Sequence, residues 1–199
     1  MQNPNVKILL ALGGWTDSSG DKYSKLVNNP SKRANFVSKT VKTLKTRQFD
    51  GLSLEWQYPV CWQSDCNAGN VKDKQGFSKL VKELKTAFAA EGLILAMSVS
   101  GYTDIADKSY DLNIIGKHVD IVNVMSYDYH GYWDGRTNHH SPLNLVPNSN
   151  YPTYFVVRIV LPIKKNYFKI PSLKLDILFY FLGTCYGILY QKRNTYKQT

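Results

Sequence analysis

The chain is short of several things at once, and each shortage closes off a class of protein. Three cysteines in 199 residues are too few for a dense disulfide scaffold. Acid is scarce, with 15 Asp and Glu against 25 Lys and Arg, and it is scarcest at the end. Residues 150–199 hold 8 of the Lys and Arg but one acid, Asp176, so most of the net charge of +10 belongs to this segment. The body is nearly balanced. A nucleic-acid binder gathers its cations on one helix or groove, and the body does not, so no nucleic-acid partner is expected.

Long apolar runs are also missing. The longest, Ile177 to Tyr190, has 14 residues, short of the roughly 20 needed for a membrane span. It is read as a short hydrophobic run rather than a membrane anchor. Met1 to Asn5 carries no basic segment followed by an apolar stretch, so no signal peptide is expected within this chain. The one Asn-x-Ser/Thr triplet, Asn29-Pro30-Ser31, is disqualified for glycosylation by its central proline.

Hydrophobic residues make up 43% of the chain and charged residues 20%, which is the balance of a folded protein. Val6 to Leu12 is almost wholly apolar and ends at Gly13-Gly14, the pattern of a strand buried on both faces of a parallel sheet. Asn29 then caps a helix with Pro30 at its first position, and Phe36, Val37, Val41 and Leu44 recur on one face. A second strand is expected over Phe49 to Tyr58. A helix opening at Asp73 follows, with Phe77, Leu80, Val81, Leu84 and Phe88 at the helical period and Gly92 to end it. Third and fourth strands are expected at Leu93 to Val99 and Val119 to Tyr127, with a shorter helix near Asp111 to Lys117 between them. Strand and helix alternate, so the class is α/β with parallel strands. Periodicity alone leaves half a (β/α)₈ barrel and a small doubly wound sheet both open.

Chemistry concentrates in Phe49-Asp50-Gly51-Leu52-Ser53-Leu54-Glu55-Trp56-Gln57-Tyr58-Pro59. A period of two places Ser53, Glu55 and Gln57 on one face and Leu52, Leu54 and Trp56 on the other. Polar side chains in file at the carboxyl end of a buried strand are costly without partners or a ligand, and that end is where α/β folds bind ligands. A hydrogen-bonded polar layer inside the sheet is the alternative. Trp56, by its parity, belongs to the core. Trp15 follows two glycines at a strand end and faces either the core or the cleft.

Three segments resemble family 18 glycoside hydrolases, the chitinases, particularly those of arthropods. Leu10-Ala11-Leu12-Gly13-Gly14-Trp15 resembles the third-strand motif of that family. The segment around Glu55 resembles its fourth-strand signature, Phe-Asp-Gly-x-Asp-x-Asp-Trp-Glu-Tyr-Pro, and Asn123-Val124-Met125-Ser126-Tyr127-Asp128-Tyr129-His130-Gly131 resembles its sixth-strand motif. Order and spacing agree across residues 1–145. The resemblance implies a partial (β/α)₈ TIM barrel corresponding to strands three to six, and a substrate of chitin or N-acetylglucosamine oligosaccharides with no cofactor.

It also implies roles. The family uses a Glu at the position of Gln57 as general acid, an Asp at the position of Glu55 to orient the substrate acetamido group, and a further Asp where Ser53 stands. Tyr127 and Asp128 contact the acetamido group, Met125 of the same strand belongs with the substrate contacts, and Trp15 or Trp133 stacks on sugar rings. Here Gln57 can donate a hydrogen bond but holds no transferable proton, and general-acid catalysis is worth about 10²–10⁴-fold. Glu55 lies two residues deeper, roughly 6.6 Å down the strand, which its extra methylene does not span. The expectation is a chitin-binding protein with hydrolysis lost. The alternatives are a weak chitinase using Glu55 and a non-functional truncated product.

Cys61 and Cys66 lie five apart in the loop after the second strand. Zinc sites favour closer pairs and need a second pair, so a loop-closing disulfide is expected, and with it an oxidising compartment. An extracellular location is what the resemblance implies. No metal is expected: His139-His140 reads as a solvated loop, and His130 as lining the cleft. The motifs end near Leu143, so residues 146–199, with the lone Cys185, form a separate basic and apolar tail. Loss of resemblance together with a change of charge is what a partial or mis-spliced gene model would produce.

Overall fold

The computed structural model describes residues 6–144, 174–177 and 188–191. Four parallel strands form the centre of the sheet: β1 (Val6–Gly13), β2 (Gly51–Glu55), β3 (Ile94–Ser100) and β4 (Ile121–Met125). The register pairs Leu10 with Leu52, Leu52 with Leu95, and Met97 with Val122. Helices α1 (Lys22–Val27), α2 (Pro30–Thr46), α3 (Asp73–Glu91), α4 (Thr103–Ser109) and α5 (Leu112–His118) fall between successive strands. Parallel neighbours require such crossovers.

The long helices form where the periodicity places them. Asn29 caps α2 by accepting from the Lys32 N–H at 3.0 Å, and α3 stops at Gly92, whose φ of 66° is the left-handed conformation of a helix stop. Phe77, Leu80, Val81, Leu84 and Phe88 of α3 are all buried against the sheet, beside Leu44 of α2. Trp56 joins this core, 4% exposed, with ring centroids 5.5 Å from Tyr23 and 5.9 Å from Phe77.

Three features differ from expectation. The second strand is shorter than Phe49–Tyr58, because Gln57 leaves the ladder and its N–H donates to Ser18 Oγ at 2.8 Å. Helices α1 and α4 were not anticipated; with six and seven residues they are too short to show a period. Among the described residues the sheet also has six strands rather than four. β5 (Lys174–Ile177) runs parallel to β4 on one edge, and β6 (Ile188–Gln191) runs antiparallel to β1 on the other. Both come from the tail, which was not expected to supply strands. Cys185 and most of the apolar run 177–190 lie outside the described residues. Among those described, no helix is long and apolar enough to cross a membrane.

Candidate functional site

The carboxyl ends of β1 to β4 and the residues just beyond them enclose a cavity of about 640 Å³. Its lining is Trp15 after β1; Gln57, Tyr58 and Ser64 after β2; Tyr102 and Ile105 after β3; and Met125, Tyr127, Asp128 and Trp133 from the β4 end. Five of the ten are aromatic and one is a carboxylate. Planar apolar faces with a few polar groups suit a ligand that presents both CH surfaces and hydroxyl or amide groups.

Gly13 explains how β1 brings Trp15 here. At φ 117°, a Cβ on Gly13 would stand 2.6 Å from the carbonyl carbon of Glu55, so only glycine lets β1 lie this close to β2. The Gly14 N–H then donates to the Glu55 carbonyl at 2.9 Å, and the chain leaves the sheet with Trp15 turned outward, 50% exposed. The open question about Trp15 is thereby answered in favour of the cleft.

Glu55 does not reach the cavity lining. It is 5% exposed, and its Oε1 accepts from Ser53 Oγ at 2.8 Å and Ser98 Oγ at 2.9 Å. Burial pushes its carboxyl pKa up, and the two hydroxyl bonds oppose that only in part. Gln57 is the member of the polar file that faces the cavity, with the Gln57–Tyr58 peptide bond cis. The two readings of the polar face are both realised. Ser53 and Glu55 form a bonded layer inside the sheet, and Gln57 lines the cleft.

Tyr58 is buried at the cavity edge, its hydroxyl pushed up to about 12, chiefly by burial and also by the Asp128 charge, against a lowering bond to Ser100. Tyr102 donates from its hydroxyl to the Asp128 carbonyl, and its own pKa is also pushed up to about 12, with burial the largest cause. Asp128 is exposed with φ 56°, a left-handed conformation that this bond helps to hold. Both tyrosines stay protonated at neutral pH, and the Tyr102 proton is already given to the Asp128 carbonyl.

A 3₁₀ turn, Tyr132–Asp134, carries Trp133 to the rim, 65% exposed. Asp134 accepts from the Gly131 N–H at 3.2 Å and pairs with His130 Nδ1 at 3.0 Å. A Cβ on Gly131 would meet the Trp133 ring at 2.5 Å, so the indole lies directly against that backbone. His130 does not line the cleft as expected. It is 4% exposed beneath the turn, drawn inward by Asp134. His139 and His140 are exposed in the following loop. Among the described residues, no three His, Cys, Asp or Glu side chains are grouped to hold a metal ion.

Cys61 and Cys66 are joined by a disulfide with an S–S distance of 2.01 Å, as their spacing suggested. Sequence reasoning did not identify Tyr58, Ser64, Tyr102 or Ile105 as cavity residues, nor Ser98 as a partner of Glu55. Tyr58 was within reach, since it follows Gln57 directly. Ser64 sits inside the Cys61–Cys66 loop, whereas Ser98, Tyr102 and Ile105 come from the distant β3 region without a local signal.

Comparisons with known proteins bear on the family and the fold. The sequence model described as Glycosyl hydrolases family 18 matches residues 1–184, and so continues beyond residue 145, where the motifs end. The chain is 43% identical over 157 residues to Probable chitinase 10 of Drosophila melanogaster, which covers 79% of this chain and 7% of that protein. It is 32% identical over 203 residues to the oviduct-specific glycoprotein of Mesocricetus auratus, covering 97% of this chain and 28% of that one. Among solved structures it superposes on catalytic domain 2 of the Ostrinia furnacalis Group II chitinase with a TM-score of 0.78 at 42% identity, covering 85% of this chain and 43% of that one. A mutant of that domain was solved in complex with penta-N-acetylchitooctaose. The chain thus spans under half the length of each of these relatives.

Proposed function

Since this chain belongs to glycosyl hydrolases family 18, we propose that it binds chitin and related N-acetylglucosamine oligosaccharides in the cavity at its strand ends without cleaving them. The observation that carries this reading is Gln57 in the cavity lining, an amide where hydrolysis requires a proton donor to the glycosidic oxygen. The burial of Glu55 supports it too. Bonded to Ser53 and Ser98 and held below the lining, that carboxyl has no path to a leaving group above Gln57.

In this reading Trp15 and Trp133 take the faces of sugar rings, while Tyr127, Asp128 and Met125 meet the acetamido side. All of these residues fall within 1–145, which we take as the ligand-binding unit, with 146–199 adding the edge strands β5 and β6. The Cys61–Cys66 disulfide and a polymeric extracellular ligand both favour a location outside the cytosol.

The test combines calorimetric titration of penta-N-acetylchitopentaose with chromatography of the sugar after long incubation. The expected result is saturable binding with the pentamer recovered intact. Shorter oligomers accumulating at a rate that Glu55→Gln abolishes would replace this reading with a weak chitinase. Absence of binding would remove the ligand assignment.

A further inference from the structure

Asp73 is the first residue of α3, fully buried, and outside the cavity. Five donors converge on its carboxylate. Oδ1 accepts from Ser24 Oγ at 2.6 Å and Asn28 Nδ2 at 2.7 Å, both at the α1 end. Oδ2 accepts from Trp62 Nε1 at 3.1 Å and from the backbone N–H groups of Asn70 and Val60 at 3.3 and 3.4 Å. A buried carboxylate is tolerated only when its lone pairs are bonded in this way, and the start of a helix adds a favourable field. The five donors are therefore held as a set, and Asp73 fixes both ends of the loop between β2 and α3 against α1.

That loop reaches back to the cavity. Between Val60 and Asn70 it carries Gln63, whose backbone N–H donates to the Gln57 carbonyl at 2.9 Å and whose side-chain amide donates to the Trp15 carbonyl at 3.2 Å. One residue of the loop thus ties the chain after β1 to the chain after β2. The Gln57 N–H closes the ring by donating to Ser18 Oγ at 2.8 Å.

We propose that Asp73 is a positioning residue for the ligand cavity, acting through Trp62 and the Val60–Asn70 loop to hold the Trp15 and Gln57 wall in place. Its consequence for sugar binding rests on the oligosaccharide reading above, whereas the mechanical coupling does not. Asp73→Asn turns one acceptor oxygen into a donor facing donors. Trp62→Phe keeps an aromatic ring of smaller size and removes a single hydrogen-bond donor, and serves where Asp73→Asn does not fold.

The experiment is amide hydrogen exchange on the whole chain, followed by titration with penta-N-acetylchitopentaose. The expected result in either variant is exchange at least about tenfold faster at Ser18, Gln57 and Gln63, with the central Val122–Val124 amides of β4 unchanged. Affinity should fall about fivefold or more. A purely structural loss would accelerate all amides together, and acceleration confined to residues 60–73 would equally overturn the proposal. If the unmodified protein does not bind the pentamer, the ligand reading falls and the exchange pattern alone decides the coupling.

Discussion

In the proposed reading, an amide in place of a carboxyl at position 57 separates recognition of a glycosidic bond from its cleavage. Gln57 lines the cavity and carries no transferable proton. Placing Gln57→Glu, Glu55→Asp and Ser53→Asp together in a complete barrel domain should raise release of a fluorogenic chitobioside by about 10²-fold or more over the unmodified sequence. Continued silence from that triple variant would show that the lesion extends beyond these three residues. Glu55 itself gives a pH signature. Burial raises its native pKa above the ordinary glutamate value, so its protonated form is favoured by folding. That contribution is fully present below about pH 4.5 and is lost as pH rises through the native value. Glu55→Gln should therefore gain on the wild type in urea midpoint as pH rises, and the difference should level off once the native carboxyl is ionised. This polar file was legible from alternation alone, because period two fixes the face. Which members meet partners and which meet the cavity was not, since Ser98 comes from another strand, 43 residues away from Glu55.

At the scale of elements, the helices that could be read were those with both a cap and a long apolar stripe. Asn29 at the start of α2 is the clearest. Asn29→Ala should cost about 1 kcal/mol, measured by chemical denaturation, whereas Asn29→Ser should cost a fraction of that, because serine still offers an oxygen to the Lys32 N–H. The α3 stripe also matched its burial position by position. The short helices α1 and α4 had no such signal. Each buries only two or three side chains, Tyr23, Ser24 and Val27 in one and Ala106 and Ser109 in the other, and is held by its neighbours more than by its own pattern. The end of β2 was misplaced for a related reason. Alternation continues through Gln57, but its backbone bonds go to Ser18 and Gln63 instead of an adjacent strand.

For the molecule as a whole, an open parallel sheet has two edges to manage, and here β6 and β5 occupy them beside β1 and β4. Both strands come from the segment that composition had set apart. Their placement depends on long-range pairing that no local pattern encodes, which is why four strands were counted from sequence. A chain ending at Asn144 would bare the outer N–H and C=O groups of β1 and β4. It should self-associate at micromolar concentration by light scattering, while the full chain under the same conditions should scatter less.

The four tryptophans differ in their exposure to solvent. Trp15 and Trp133 stand in the cavity mouth, half or more exposed, Trp56 is sealed in the core, and Trp62 is half-buried with its indole N–H on Asp73. Emission should accordingly contain one component open to iodide and one that is not. An occupant of the cleft would shield the first and leave the second unchanged, making the unlabelled protein its own reporter.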